Sequence, residues 1–118
     1  MAASAYASCT DTSFTYEWGI FSGTQRTTVR YKDNTSSMYM YANSVPSGKS
    51  YTAYATGYSN GSYVDVSRGH LYQFVSGSTP RTLVNWVRED GYTYASIAAT
   101  KDTTLGFTAS GVWSPDYC

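Results

Sequence analysis

The chain predicts an all-β fold: one antiparallel β-sandwich of about nine short strands, with a flattened β-barrel as the alternative. Apolar and polar residues alternate along most of its length, as they do in strands with one buried face. Clusters of Gly, Asn, Asp, Ser and Pro interrupt the alternation at short intervals, and no long window keeps a helical period. Val, Thr and Tyr, which suit pleated surfaces better than helices, fill the segments between.

Each element follows from that pattern. A strand over 14–20 puts Phe14, Tyr16, Trp18 and Ile20 on one face, with Thr15, Glu17 and Gly19 between them. Over 25–31, Arg26, Thr28 and Arg30 oppose Thr27, Val29 and Tyr31. Over 37–42, Met38 and Met40 share one face and Tyr39 and Tyr41 the other. Over 51–58, Tyr51, Ala53 and Ala55 oppose Thr52, Tyr54 and Thr56. Asn60-Gly61 then suits a two-residue type I′ turn, where both central residues take positive φ, and this sets Tyr58 opposite Tyr63. Further strands are expected at 63–67, 70–76, 82–89, 92–99 and 103–113, with turns at Glu89-Asp90-Gly91 and Lys101-Asp102 and loops at 43–48 and 76–80.

The 118 residues and 13.0 kDa suit a single domain spanning 1–118. Leu, Ile, Val and Phe supply only 17 residues, so the core must be built partly from other side chains. With 13 Tyr and 3 Trp, aromatic rings can take that place, each burying on the order of 150–250 Å². Tyr16 and Tyr94 fit the core role, and Trp18, Trp86 and Trp113 fall inside predicted strands.

Charge narrows the partners. Eight basic and eight acidic residues are scattered without runs, which leaves no footprint for nucleic acid or an anionic membrane. No apolar stretch is long enough to span a bilayer, so no membrane insertion is expected. Met1 to Ser8 lacks the basic and apolar regions of a signal peptide and reads as a mature N-terminus of an exported protein. Cys9 and Cys118 are the two cysteines, one near each end. A disulfide between them would close a loop of about 110 residues, worth roughly 4–5 kcal/mol in entropy models, and would require the two termini to lie side by side. Such a bond also implies secretion.

Catalytic constellations are missing. His70 stands alone, too few for a two-histidine metal site or a triad, and reads as a structural or surface residue. Glu89 and Asp90 are adjacent in a turn, and Asp33, Asp102 and Asp116 also sit at turns, where Asp is favoured for backbone reasons. No phosphate loop, nucleophile elbow or regular calcium loop occurs, so neither a cofactor nor a metal is expected and the chain does not read as an enzyme.

Binding is the better class. Tyr, Ser, Gly and Asn are the residues of antibody paratopes, where Tyr gives contact area at small entropic cost and the others adaptable hydrogen bonds. With Met38 and Met40 facing inward, Tyr39 and Tyr41 face solvent and form a candidate ligand-binding patch with Tyr54, Tyr58 and Tyr63. The expected protein is a monomeric, secreted, non-catalytic module that recognises a host or neighbouring-cell protein, such as an immunoglobulin. A glycan ligand comes second, and a small bacteriocin or toxin acting on a cell envelope third.

At the C-terminus, the segment from Phe107 through Gly111, Val112, Trp113, Ser114 and Pro115 to Asp116 resembles the ending of small uncharacterised secreted proteins of Gram-positive bacteria. The resemblance implies secretion and a β-rich fold, and it assigns no activity to any residue. Tyr117 and Cys118 extend beyond it.

Overall fold

Alternation becomes buried and exposed faces in the computed structural model, which describes residues 9–117. Ten antiparallel strands form two sheets, one of them curled into a half-barrel. The first sheet contains β1 (Thr12–Trp18), β10 (Phe107–Ser114), β4 (Met38–Ser44) and β8 (Arg81–Leu83), in that order. The second is built on the long central pair β5 (Ser50–Ser59) and β9 (Tyr94–Lys101). Beyond β9 lie the short strands β2 (Gln25–Arg26) and β3 (Arg30–Tyr31); beyond β5 lie β6 (Ser62–Asp65) and β7 (Tyr72–Val75).

The β-sandwich expectation holds, with local differences. The segment 25–31 is two short pieces, because Thr27 turns its hydroxyl to the Ile97 amide at 3.0 Å and so interrupts the ladder. β1 stops at Trp18, leaving Ile20 in solvent, and the expected strand over 82–89 ends at Leu83. A turn follows it, closed by bonds from Asp90 N to Trp86 O and from Tyr92 N to Val87 O, so Trp86 lies outside any strand and is half-buried. The Asn60-Gly61 turn forms as expected, with φ of 51° and 81°.

The core answers the shortage of aliphatic residues by pairing large with small. Phe14, Tyr16, Trp18, Phe107 and Trp113 project from the first sheet, while Ala53, Ala55, Ala95 and Ala99 line the second, where Tyr51, Phe74 and Ile97 complete the layer. Rings opposed to methyl groups suit the spacing of about 10 Å at which sheets pack face to face. Tyr16 meets Tyr51 edge-on at 5.4 Å, and Trp18 lies 4.9 Å from Phe107. Tyr16 is buried as expected, and its hydroxyl donates to the Ile97 carbonyl at 2.8 Å. Burial, with neighbouring Tyr51 second, holds the Tyr16 phenol well above its ordinary pKa, and burial raises that of Tyr51.

β1 and β10 pair near both ends of the described residues, Thr12 with Trp113. Beyond that pair the chain makes its one buried ion pair among the described residues. Lys32 Nζ donates to Asp116 Oδ1 at 2.5 Å, to Ser36 O at 2.6 Å and to Pro115 O at 2.8 Å, so all three of its hydrogens are used. Asp116 Oδ2 accepts from the Asp33 amide at 2.8 Å. Desolvation lowers the Lys32 pKa, and the bond to Asp116 offsets part of that shift. Asp116 is therefore no ordinary turn residue, in contrast to the sequence expectation; it is fully buried and paired with Lys32. The expected Cys9–Cys118 bond needs Cys118, which with Met1 to Ser8 and the reading made of them lies outside the described residues.

Candidate binding face

Cross-strand register decides which tyrosines share a surface. Antiparallel partners point to the same face, and the second sheet pairs Tyr31 with Tyr94, Tyr94 with Tyr58, and Tyr58 with Tyr63. Four tyrosines from β3, β9, β5 and β6 thus line one row across the outer face. Tyr31 is 42% exposed, Tyr94 46% and Tyr63 39%, while Tyr58 is half-buried between its neighbours. Tyr58 and Tyr63 lie 4.9 Å apart and Tyr31 and Tyr94 6.0 Å, tilted by 59° and 77°.

The next layer is lower. Thr56 and Ser96 pair on the same face, both buried, and the Thr56 hydroxyl donates to Ser96 O at 2.9 Å. Ala98, also buried, lies between Tyr54 and Arg26 in register. Arg26 crosses this floor of small side chains to place its guanidinium 4.5 Å from the centre of the Tyr63 ring. The face is a ridge of rings and hydroxyls beside a shallow floor, with one cation held flat against it.

The five tyrosines expected to form one patch divide between two faces. Tyr54, Tyr58 and Tyr63 belong to the outer face of the second sheet. Tyr39 and Tyr41 do point away from the buried Met38 and Met40, but they stand on the outer face of the first sheet, opposite Ser114 and Val112. There Tyr39 stacks on Tyr117 at 6.1 Å, beside a cavity of about 240 Å³ lined by Cys9, Asp11, Tyr39, Ser114, Asp116 and Tyr117. Burial raises the Tyr39 pKa, with Asp11, Tyr117 and Tyr41 adding to it. The separation follows from the topology, since β4 and β5 are consecutive in the chain but lie in different sheets.

Sequence reasoning missed Tyr31 and placed Tyr94 in the core. Tyr94 alternates correctly with the buried Ala95 and lies on the solvent side. The buried run from Ala95 to Ala99 hides that alternation, because the outward Ser96 and Ala98 are covered by larger neighbours. His70, exposed as expected for a surface histidine, stacks on Trp86 at 5.7 Å, and Arg68 covers the same indole at 4.6 Å. Among the described residues no group of three His, Cys, Asp or Glu side chains is placed to hold a metal.

A two-sheet, all-β domain with an aromatic layer within and an aromatic row on one outer face is the class that fold and site define. The chain belongs to a family of proteins of unknown function, DUF2712, which matches residues 1–117. No curated protein and no solved structure matches it.

Proposed function

We propose that the protein is a secreted, non-catalytic binding module that recognises a protein ligand, such as an immunoglobulin, through the tyrosine row of its second sheet. The observation that carries this reading is the register that brings Tyr31, Tyr94, Tyr58 and Tyr63 together with Arg26 on one face. Tyr and Arg are enriched at the energetic centres of protein interfaces. Rings fixed by a sheet lose little entropy on binding. The tilt between neighbouring rings favours protein over glycan. Neighbouring rings inclined to each other by 59° and 77° form no flat shared platform, whereas a sugar chain stacks on ring faces.

Pull-downs from serum and mucus test the assignment. Changing Tyr31, Tyr58, Tyr63 and Tyr94 together to Ser should abolish capture, while Tyr39→Ser with Tyr41→Ser should leave it intact. Capture that survives the fourfold change would remove the row as the site. A positive glycan array with no protein partner would move the reading to carbohydrate.

Export and the terminal disulfide belong to the same proposal. Cys9 lines one cavity with Tyr117, the residue before Cys118 in the sequence, which supports a bond between the two cysteines. Oxidised protein should be lighter than reduced protein by two hydrogens in an intact mass measurement; equal masses would exclude the bond.

A further inference from the structure

On the side away from β9, β5 carries two short strands, β7 against its first half and β6 against its second. An antiparallel ladder alternates between residues that bond across to the partner and residues whose N–H and C=O point away from it. The Val66 amide donates to Ala55 O at 3.2 Å and continues the register of β6 by one residue, so the bonded pairs are 55–66, 57–64 and 59–62. Tyr63 and Asp65 therefore turn their backbone groups to the open edge.

The two edges are finished differently. On β7 the outward groups are taken by side chains: Arg81 Nη1 donates to Gln73 O at 3.1 Å, and Ser78 Oγ accepts from Val75 N at 2.6 Å and donates to Val75 O at 2.7 Å. Blunting of this kind keeps an edge from pairing with another chain. On β6 no group among the described residues meets the outward N–H and C=O of Tyr63 or Asp65. The side chains leave that edge open as well. Ser62 to Asp65 are all exposed, and Val64, on the inward face opposite Gly57, is 38% exposed.

We propose that β6 pairs with β6 of a second copy of this chain, antiparallel about a two-fold axis at Val64, joining the two second sheets into one. In that register Tyr63 of each copy lies opposite Asp65 of the other, and every outward N–H of the two strands meets a C=O. Val64 faces Val64 across the axis in a non-bonded pair, where side chains come closest, and each covers the other. The charges agree with this pairing. Asp65 falls opposite a Tyr63 ring that holds the Arg26 guanidinium 4.5 Å from its centre, and the two aspartates are not opposed. The axis keeps both tyrosine rows on one face without using their side chains. Four backbone bonds and one valine pair make a small contact, so a dissociation constant on the order of 100 µM is expected. Such a dimer departs from the monomer expected of the sequence.

Analytical ultracentrifugation of the full chain from about 10 µM to about 1 mM, with reductant present to exclude a cysteine bridge, tests this. The average mass should rise with concentration from 13.0 kDa towards twice that value. Val64→Lys and Val64→Asp, changes at an exposed side chain, should each hold the mass at that of the monomer, because like charges then meet on the axis. Mixed in equal amounts, the two variants should form the dimer again, which a damaged fold could not do. The fourfold tyrosine-to-serine variant should dimerise too, since residue 63 pairs through its backbone, and this separates the edge from the tyrosine row. A monomer mass at every concentration, dimerisation of either charged variant alone, or no dimer in their mixture would overturn the proposal. So would loss of the dimer in the fourfold variant, which would assign self-association to the row.

Discussion

Asp116→Asn is expected to cost about 3–5 kcal/mol of folding stability, because it leaves the Lys32 ammonium buried without its counter-charge. The bonds from Lys32 to Ser36 O and Pro115 O hold the ammonium in place, so it cannot reach water without opening the C-terminal segment. Lys32→Met should cost a similar amount, since it strands the carboxylate against the Asp33 amide. Joining Lys32→Met with Asp116→Leu should cost much less than the two single changes added together, because a buried pair replaced by apolar groups of similar volume is often close to neutral. Urea unfolding provides the measurement: the midpoints of the single variants should fall sharply without a change in slope. Losses below about 1 kcal/mol in both singles would show that the pair contributes little. The exposed Arg68–Asp90 bridge, at 2.9 Å, is the natural control and should be worth at most about 1 kcal/mol.

Tyr16→Ala should cost about 3–5 kcal/mol, as expected for a large ring removed from a packed layer that cannot collapse. The ring touches Phe14, Trp18 and Tyr51 at 4.8 to 5.4 Å, so its loss opens a cavity between the sheets. Tyr16→Phe keeps the ring and loses only the bond to Ile97 O, a carbonyl that also accepts from the Thr27 amide at 3.1 Å. That change should cost about 1 kcal/mol. Calorimetry on the two variants separates packing from hydrogen bonding. Equal losses would mean that the hydroxyl, and not the ring, dominates.

The same layer sets an alkaline limit. Tyr16 and Tyr51 have folded pKa values raised above that of an unfolded tyrosine, about 10. Above that pH the unfolded chain releases protons that the folded chain retains, so stability present below pH 10 declines as pH rises. Tyr51→Phe should flatten the decline while changing little at neutral pH, because the hydroxyl makes only a weak contact with Met40 Sδ at 3.4 Å.

Much of the fold was legible in the sequence. The inward and outward sets of β1, β4 and the first half of β5 match the alternation read from Phe14 to Trp18, Met38 to Tyr41 and Tyr51 to Ala55, since a half-buried strand writes its two faces in alternate residues. Asn60-Gly61 identified its turn, and with it the Tyr58–Tyr63 pair, because few residues tolerate two successive positive φ angles. Short bridges such as β2 and β3 were less legible, since two residues carry no period.

The candidate face was legible only in fragments. Residue identity and local alternation determined that the chain is β-rich, that rings must replace aliphatic side chains in its core, and that surplus tyrosines face outward. The tertiary structure alone decided which of them meet. The row joins residues 31, 58, 63 and 94, and its register arises from hydrogen bonds between strands far apart in the chain. The same holds for Lys32 and Asp116, two charged residues with nothing local to mark them: Lys32 follows β3 of the second sheet and Asp116 follows β10 of the first, and the two sheets bury them against each other.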